Sequence, residues 1–356
     1  MENEDLITKL LSWYHVFKRD LPWRKTSDPY EIWLSEIILQ QTRVAQGLPY
    51  FERFIEAYPK IEDLANAAQE DVLRHWQGLG YYSRARNLHA CAQFIVQELR
   101  GNFPKTYKEL LKLPGVGPYT AAAIASFAYN EKVPAIDGNV MRVLSRLFGI
   151  RSDVKVPKNQ RTYFELGLSI MPADRAGVFN QAMMEFGALH CTPANPGCRE
   201  CPVQSGCFAF EHNLQGELPV RSKAKKVKNR YFNYIVFFQD ENLYLNARGP
   251  NDIWQGLYDF YLVETKEAGT PELIEKDPVV RHVMNKGGIL ESVSATRKHL
   301  LSHQRIQATF FVIELKEEHL SKTLFNAGLQ EFSKEKVEKL PKPVLIDNFL
   351  KDLTVC

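Results

Sequence analysis

The sequence lacks any apolar run that approaches the ~20 residues needed to span a bilayer. Its first residues, MENEDLITKL, are acidic and show helical apolar periodicity rather than the pattern of a signal peptide. Cysteine is also scarce, with six among 356 residues. We therefore expect a cytoplasmic protein, in which thiols stay reduced and clustered cysteines indicate a metal site rather than disulfides.

An excess of charge of one sign is missing over most of the chain. Residues 1–220 hold 24 basic and 24 acidic residues, and residues 231–356 hold 15 basic and 18 acidic residues. Between them, RSKAKKVKNR at 221–230 adds six basic residues and no acidic one. Nucleic-acid binding by the first 220 residues would therefore need local geometry rather than bulk charge. The basic run itself is either a solvated linker or a phosphate contact.

The apolar periodicity changes once along the chain. A length of 356 residues exceeds the usual limit of a single core, so two domains are expected. We predict an all-α domain over 1–212, a linker over 213–230 and an α+β domain over 231–356. The predicted helices include 30–42, 71–80, 83–101, 119–130 and 343–353, and the strand candidates are 231–238, 242–248, 256–264 and 305–315.

A carboxylate interrupts the helix predicted for WLSEIILQQT, residues 33–42. Glu36 falls between Ile32 and Trp33 on a helical wheel, and apolar side chains cover much of the remaining circumference. A helix that is apolar nearly all round is normally buried. An unpartnered buried carboxylate is costly, so Glu36 has either a raised pKa and a chemical role or an internal hydrogen bond.

The cysteines of CTPANPGCRECPVQSGC form a C-x6-C-x2-C-x5-C cluster. Four thiolates within 17 residues are able to surround one metal centre, and prolines and glycines supply the turns. Zinc sites usually pair two short C-x2-4-C hooks, so the spacing favours a [4Fe–4S] cluster with a structural role. Zinc and unligated thiols are the alternatives. The proposed ligands are Cys191, Cys198, Cys201 and Cys207.

Two further motifs lie at predicted helix starts. LPGVGPYTAAAIASFA, residues 113–128, places a G-V-G turn directly before a helix, where backbone amides favour a phosphate. An ordinary glycine turn between two helices is the alternative. In PAIDGNVMRVL, residues 134–144, Asp137 precedes an amphipathic helix, and taken alone it reads as an N-cap.

Taken together, these motifs resemble the helix-hairpin-helix DNA glycosylases with an iron–sulfur loop. The resemblance covers residues ~5–210 and implies an all-α glycosylase fold with one [4Fe–4S] cluster. Lyase-type members carry a Schiff-base lysine where this chain has Tyr119. The helix at 33–42, with LPWR before it and GLGYYSRARNL after it, resembles the members that remove adenine from A/G mismatches. The implied activity is monofunctional removal of adenine opposite 8-oxoguanine or guanine in double-stranded DNA, by a monomer acting on the bacterial nucleoid.

The resemblance implies a role for two carboxylates. Glu36 is expected to protonate adenine N7 and then to assist a water, and apolar surroundings would keep its proton available near neutrality. Asp137 is expected to stay ionised at its helix start and to stabilise the sugar C1′. Asn139 is placed to orient Asp137 or the water, and Tyr119 to line the same pocket.

Base flipping is implied as well, since adenine inside a duplex is out of reach of the carboxylates. The resemblance puts four side chains around the flipped adenine, namely Arg19, Trp23, Arg24 and Leu39. It puts Gln41, Leu79 and Tyr81 in the gap or against the opposite base, counts Thr42 among the substrate-binding residues, and puts Gly115, Val116 and Gly117 on the DNA backbone. The aromatic pair of Tyr81 and Tyr82 beside Arg84 suits stacking, with simple core packing as the alternative.

Residues ~231–356 resemble the Nudix-like domain that reads 8-oxoguanine in this family. TPELIEKDPVVRHVMNKGG lacks the run of glutamates that binds magnesium in Nudix hydrolases, so no nucleotide hydrolysis is expected. The family's F-S-H contact motif is Leu301-Ser302-His303 here. Leucine removes the aromatic wedge and leaves the polar contact of Ser302 and His303. The uncharged loop TPANPG leaves its phosphate contact to Arg199.

Two rival functions fit parts of the sequence. A bifunctional glycosylase/lyase for oxidised pyrimidines would share the fold, but Tyr119 and the 33–42 helix disfavour it. A non-catalytic iron–sulfur protein that only detects lesions would not need both Glu36 and Asp137.

Overall fold

The computed structural model describes residues 3–222, 227–317 and 319–353. It divides into two compact units. One holds the described residues of 1–66 and 87–223, and the other holds those of 67–86 and 224–356. The predicted domain boundaries at 212 and 231 stay a prediction. Residues 223–226 of the predicted basic linker and Cys356 lie outside the described residues.

Helices build the first unit. They are α1 Asn3–Phe17, α2 Pro29–Leu39, α3 Val44–Ala57, α4 Ile61–Asn66, α6 Ser83–Leu99, α7 Tyr107–Leu110, α8 Pro118–Tyr129, α9 Gly138–Phe148, α10 Gln160–Ile170, α11 Ala176–Leu189 and α12 Phe208–Glu211. Helix α6 belongs to this unit from residue 87 onward, and α5 Gln69–His75 belongs to the second unit.

Helix α2 shows why the elements begin and end where they do. Asp28 caps it by accepting a hydrogen bond from the Tyr30 N–H at 2.8 Å, and Pro29 supplies the fixed φ of a first helical residue. The helix ends at Leu39, three residues before the predicted end. The helix predicted for 71–80 is also too long, since α5 ends at His75 before Gly78 and Gly80, both at positive φ.

Helix α11 packs closely against α8 and α9 because it carries glycines at both crossings. A Cβ on Gly177 would lie 2.4 Å from the backbone O of Ser126 in α8. A Cβ on Gly187 would lie 2.7 Å from the Cβ of Asn139 in α9. The shared core of α1, α9, α10 and α11 includes Tyr163, Phe179 and other fully buried residues. Close packing of α11 thus fixes the last part of α8 and the start of α9, two helices that carry candidate site residues.

A mixed sheet is the main element of the second unit. Its strands are β1 Lys228–Gln239, β2 Asn242–Ala247, β3 Tyr258–Asp259, β4 Tyr261–Thr265, β5 Gly288–Val293, β6 Arg297–Leu300, β7 Gln304–Leu315 and β8 Gln330–Ser333. The order of the strands across the sheet is β3-β2-β1-β7-β5. Strands β1 and β7 pair in parallel, whereas β4 pairs with β1, β6 with β7 and β8 with β2, all antiparallel. The predicted strand 256–264 is split at Phe260 into β3 and β4.

Both faces of the central strands are covered. One face packs on helices α14 (Pro278–Asn285) and α15 (Leu320–Asn326), with Phe237, Phe311 and Ile313 in its core. On the other face Phe310 stacks on Phe349 of α17 (Val344–Asp352), with ring centroids 3.9 Å apart. This burial explains the nearly continuous apolar runs of β1 and β7. The helices of this part are α13 Pro271–Ile274, α14 Pro278–Asn285, α15 Leu320–Asn326, α16 Lys334–Lys339 and α17 Val344–Asp352.

In the described parts of the chain, no helix combines the length and apolar character needed to cross a membrane.

The close approach of α11 to α8 yields a stability prediction. Gly177→Ala forces a methyl group against the Ser126 carbonyl, so we expect it to lower the free energy of unfolding by about 1–3 kcal/mol. Gly216→Ala is the matched control, because a Cβ there meets no atom within 4 Å. Urea unfolding of both variants checks this. Equal stability of the two variants would contradict the packing argument.

Candidate active site

Glu36 lies near the end of α2 with its side chain buried, as 7% of the residue is exposed. The hydroxyl of Tyr119, in the first turn of α8, donates a hydrogen bond to Glu36 Oε2 at 2.7 Å. The same hydroxyl lies 3.2 Å from Met184 Sδ of α11. The carboxyl of Glu36 is therefore held by one neutral donor in an otherwise mostly apolar setting.

Burial raises the pKa of Glu36 to about 7. The hydrogen bond from Tyr119 and the charge of Arg24 oppose the rise, and the charge of Asp137 adds to it. The main cause is desolvation, which disfavours the charged form of a carboxyl. Near neutral pH the group holds its proton in a substantial fraction of molecules, as a general acid requires.

Asp137 is the N-cap of α9, as its position before Gly138 predicts. Its Oδ1 accepts from the Val140 N–H at 2.7 Å, and its Oδ2 accepts from Asn139 Nδ2 at 2.8 Å. Burial raises the pKa of Asp137 above its ordinary value, and these hydrogen bonds and the charge of Arg142 oppose that rise. Asp137 thus differs from Glu36 in having several donors that favour its anion.

Arg142 supports Asn139 from behind, a contact that the sequence analysis missed. Its Nη2 donates to Asn139 Oδ1 at 2.8 Å and to the Gly187 carbonyl at 2.6 Å. Its Nε donates to the Cys191 carbonyl at 2.8 Å. The amide of Asn139 is oriented as a result, with oxygen toward Arg142 and nitrogen toward Asp137. The signal in the sequence was an arginine set between apolar residues of a predicted amphipathic helix, Met141 and Val143.

A cavity of about 600 Å³ opens beside the two carboxylates, which suits a small-molecule ligand. Predicted residues that line it are Arg19, Trp23, Arg24, Leu39 and Thr42, together with Glu36, Tyr119, Asp137 and Asn139. A second cavity shares Glu36 and Asp137 and extends to the predicted Gln41, Gly115 and Gly117. Most of the residues predicted from the first unit therefore line one or both of two cavities, which share Glu36, Tyr119 and Asp137.

Glu185 of α11 is a further cavity residue that the sequence analysis missed. It accepts from Arg19 at 2.6 and 2.8 Å and from Arg24 at 2.6 and 2.9 Å. Burial alone would raise the pKa of Glu185, but the two guanidinium groups lower it to about 2. Both arginines are thereby fixed in place. The signal was the one that identified Glu36, a carboxylate within an apolar helix.

The hairpin glycines lie between α7 and α8. Gly117 is the N-cap of α8 and makes no side-chain cap, so the amides of the first turn have no side-chain acceptor there. Val116 is buried, and its N–H donates to the Leu113 carbonyl at 3.2 Å. The predicted backbone contact therefore falls to the two glycines, of which Gly115 is exposed and Gly117 is partly exposed.

In the second unit, a cleft brings together the predicted residues Leu79, Tyr81, Ser302 and His303. The hydroxyls of Tyr81 and Ser302 are hydrogen-bonded. Leu301 lines the same cleft, so leucine stands where the family motif has its aromatic residue. Tyr82 is buried and Tyr81 is exposed. The core-packing alternative therefore holds for Tyr82 and fails for Tyr81.

The four clustered cysteines lie close enough to influence one another. The charges of Cys191, Cys198 and Cys207 contribute to the pKa of Cys201, which burial raises to about 12. Backbone N–H groups point at the sulfurs of Cys201 and Cys207, and Arg146 Nη1 lies 3.4 Å from Cys191 Sγ. Among the described residues, no three Cys, His, Asp or Glu side chains form a group that would hold one metal ion. Cys91, outside the cluster, is buried.

Comparisons with known proteins agree on both halves of the chain. Residues 34–167 match the model of the HhH-GPD superfamily base excision DNA repair proteins, and residues 233–352 match that of the NUDIX domain. The predicted fold class is thus confirmed.

Two relatives are adenine DNA glycosylases of Buchnera aphidicola. The one from subsp. Acyrthosiphon pisum is 33% identical over 350 residues, covering 97% of each chain. The one from subsp. Schizaphis graminum is 36% identical over 271 residues, covering 76% of this chain and 78% of the relative. A solved thermostable thymine-DNA glycosylase matches with a TM-score of 0.55 and 29% identity, covering 59% of this chain and 97% of its own.

The raised pKa of Glu36 yields a prediction about stability and pH. Below the ordinary pKa of 4.5 the carboxyl is protonated in both states, and between 4.5 and about 7 the folded state binds more protons. The contribution of Glu36 to the free energy of unfolding should therefore fall as pH rises through this window, by up to about 3 kcal/mol. Glu36→Gln, which cannot ionise, should be more stable than the wild type at pH 8 and close to it at pH 4.

Chemical unfolding at pH 4 and pH 8 measures this difference. The exposed Glu52→Gln in α3 is the matched control and should follow the wild type at both values. A Glu36→Gln variant that gained no stability between the two pH values would show that the folded carboxyl titrates normally.

Proposed function

Because the chain belongs to the adenine DNA glycosylases, repair enzymes that hydrolyse the N-glycosyl bond of adenine, we propose that it acts on adenine paired with 8-oxoguanine or guanine in duplex DNA. The observation that carries the proposal is the pair of buried carboxyls, Glu36 and Asp137, in the walls of one cavity. The two groups differ in the donors around them, which is the arrangement that glycosidic cleavage needs.

Glu36 acts as the general acid. A pKa of about 7 keeps a proton available at neutral pH, and the group transfers it to adenine N7 as the bond to C1′ breaks. The neutral adenine leaves with the bonding electron pair. The carboxylate that remains then accepts a proton from the attacking water. Tyr119 holds Oε2 throughout and leaves the other oxygen for the base.

Asp137 stabilises the positive charge that develops at C1′. Its anion is supported by the Val140 N–H and by Asn139, so it is oriented before the substrate arrives. Arg142 fixes Asn139 in turn. The negative charge of Asp137 therefore stabilises the oxocarbenium-like transition state without a movement of the side chain.

The adenine is extruded from the duplex into the cavity. Trp23 and Leu39 supply apolar walls, and Arg19 and Arg24 are held by Glu185. Glu185 reduces the net positive charge beside the base, which suits a neutral purine better than a phosphate. Gln41 and Thr42 face the gap, and the amides of Gly115 and Gly117 bind the DNA backbone.

The reaction is monofunctional. A lyase needs an amine to form a Schiff base with C1′. The described residues that line the two cavities include no lysine, and Tyr119 takes the position at which lyase-type relatives carry one.

Recognition of the opposite base belongs to the cleft of the second unit. Tyr81, on its exposed turn, stacks against the DNA, while Leu79, Ser302 and His303 meet the base that remains. Hydroxyl and imidazole groups are able to read the edge that distinguishes 8-oxoguanine from guanine. The protein acts as a monomer and hydrolyses no free nucleotide.

Cys191, Cys198, Cys201 and Cys207 are the ligands of a [4Fe–4S] cluster. The thiols are near enough to influence one another's pKa, and backbone N–H groups point at two of the sulfurs, those of Cys201 and Cys207, which suits thiolate ligands. When bound to these four cysteines, a cluster would hold together the loop that follows α11. Arg146 stabilises this loop by donating to the carbonyls of Thr192 and Pro193 at 2.7 and 3.0 Å.

A single-turnover assay on a duplex with adenine opposite 8-oxoguanine tests the function. Wild-type protein should release adenine, and Glu36→Gln should do so at least about a hundredfold more slowly, as for the loss of a general acid. The wild-type rate should fall as pH rises above about 7, because Glu36 then loses its proton. Glu52→Gln should follow the wild type.

Two outcomes would refute the proposal. Wild-type protein that binds the duplex but leaves the adenine would be a lesion-binding protein rather than an enzyme. Efficient trapping of a protein–DNA adduct by borohydride would reveal a Schiff base and hence lyase chemistry.

The cysteine ligands are tested by metal content. Cys198→Ser should lose the iron and the broad visible absorption of the cluster, and its stability should fall because the loop is no longer held. Cys91→Ser is the control and should keep the iron. Zinc in the purified wild type, in place of iron and sulfide, would overturn the assignment.

A further inference from the structure

The chain makes a tight turn directly after α2, at residues 39–42. The Thr42 N–H donates to the Leu39 carbonyl at 3.1 Å, which closes a four-residue turn. Gln40 has φ −56° and ψ 115°, and Gln41 has φ 56°. These angles are those of a type II turn, which requires positive φ at its third residue and normally places Gly or Asn there.

Glutamine at the third position is unfavourable for the backbone. A side chain with a Cβ and no short polar group to bond locally is strained in the left-handed region. Gln41 is nevertheless exposed and lines the cavity that contains Glu36 and Asp137. The turn therefore carries a strained side chain at the cavity rim, and something must hold it there.

The neighbouring Gln40 supplies a holding contact. Its side-chain Nε2 donates to Thr120 Oγ1 at 3.2 Å, which ties the second residue of the turn to the first turn of α8. Thr120 is buried, with 2% of the residue exposed. Thr42 Oγ1 donates to the Gln40 carbonyl at 3.3 Å from within the turn. The turn is thus fastened to the helix that also provides Tyr119.

We propose that Gln40 is a positioning residue, whose amide bond to the Thr120 hydroxyl holds the type II turn so that Gln41 enters the DNA when adenine is extruded. This inference rests on the proposed function. Gln40 touches no reacting atom in this scheme, and it acts through Gln41. A loosened turn would relax toward backbone angles that suit glutamine, and Gln41 would then point away from the rim.

The experiment uses a duplex with 2-aminopurine opposite 8-oxoguanine, on a 2′-fluoro sugar that slows cleavage. Fluorescence of 2-aminopurine rises when the base leaves the stack, so it measures extrusion without chemistry. The variants are Gln40→Met, Thr120→Val and their combination. Thr120→Ser keeps the hydroxyl. Gln93→Met in α6 is the matched control, because the side-chain amide of Gln93 bonds to the Ala65 carbonyl and to His89 rather than to the turn.

We expect Gln40→Met and Thr120→Val each to lower the extrusion constant by about three- to tenfold, the range for one lost hydrogen bond. The combined variant should be no worse than either single one, because both remove the same bond. Thr120→Ser and Gln93→Met should stay within about twofold of the wild type. The pH dependence of adenine release, which Glu36 sets, should keep its midpoint in every variant.

Additive effects in the combined variant, or equal extrusion by Gln40→Met and Gln93→Met, would overturn the inference. If Gln40→Met fails to fold, the comparison of Thr120→Val with Thr120→Ser decides, since only the former removes the hydroxyl. Wild-type protein that releases no adenine would instead refute the proposed function. Active wild-type protein with unaffected variants would refute the role of Gln40 alone.

Discussion

The removal of the Glu36 carboxyl from water is the constraint on which the site depends. The same side-chain chemistry gives a pKa of about 7 at Glu36 and about 2 at Glu185, although both groups lie within apolar helices. One neutral hydroxyl faces Glu36, whereas two guanidinium groups face Glu185. Near neutral pH the Glu36 carboxyl is therefore protonated in a substantial fraction of molecules, whereas Glu185 is an anion. The number of cationic partners determines which of these two states a buried carboxyl adopts.

The supports of this arrangement lie behind the cavity, on α11 and the loop that follows it. Gly187 allows α11 to approach α9 at Asn139, and the Gly187 carbonyl accepts from Arg142. Arg142 is also held from the other side, because its Nε donates a hydrogen bond to the Cys191 carbonyl. The orientation of Asn139 therefore depends on backbone positions at the end of α11. A change in the shape of the cysteine loop would therefore alter the orientation of Asn139, and through it that of Asp137, by way of these hydrogen bonds.

Much of the site could be predicted from the sequence because its signals are local. Glu36 stands out in an apolar helix, and Asp137 stands before an amphipathic one. The roles of Arg142 and Glu185 were not predicted, because they depend on partners far along the chain, Cys191 and Arg24. The grouping of residues 67–86 with the C-terminal unit was not predicted for the same reason, since the Tyr258 hydroxyl bonds to Glu70 across 188 positions. Helix ends at 39 and 75 were missed because turns overrode a helical pattern.

Backbone strain indicates functional positions that the residue type alone does not reveal. Asparagine and aspartate tolerate positive φ, and among the described residues at such angles only three are neither these nor glycine: Gln41, Tyr81 and Arg100. Two of the three are side chains for which the family resemblance implies DNA contact. A glycine would relieve the backbone at 41 and 81, but it would offer no group to enter or stack on a duplex. Strained side chains thus stand at two positions for which the resemblance implies DNA contact, and glycine would have no side chain to offer there.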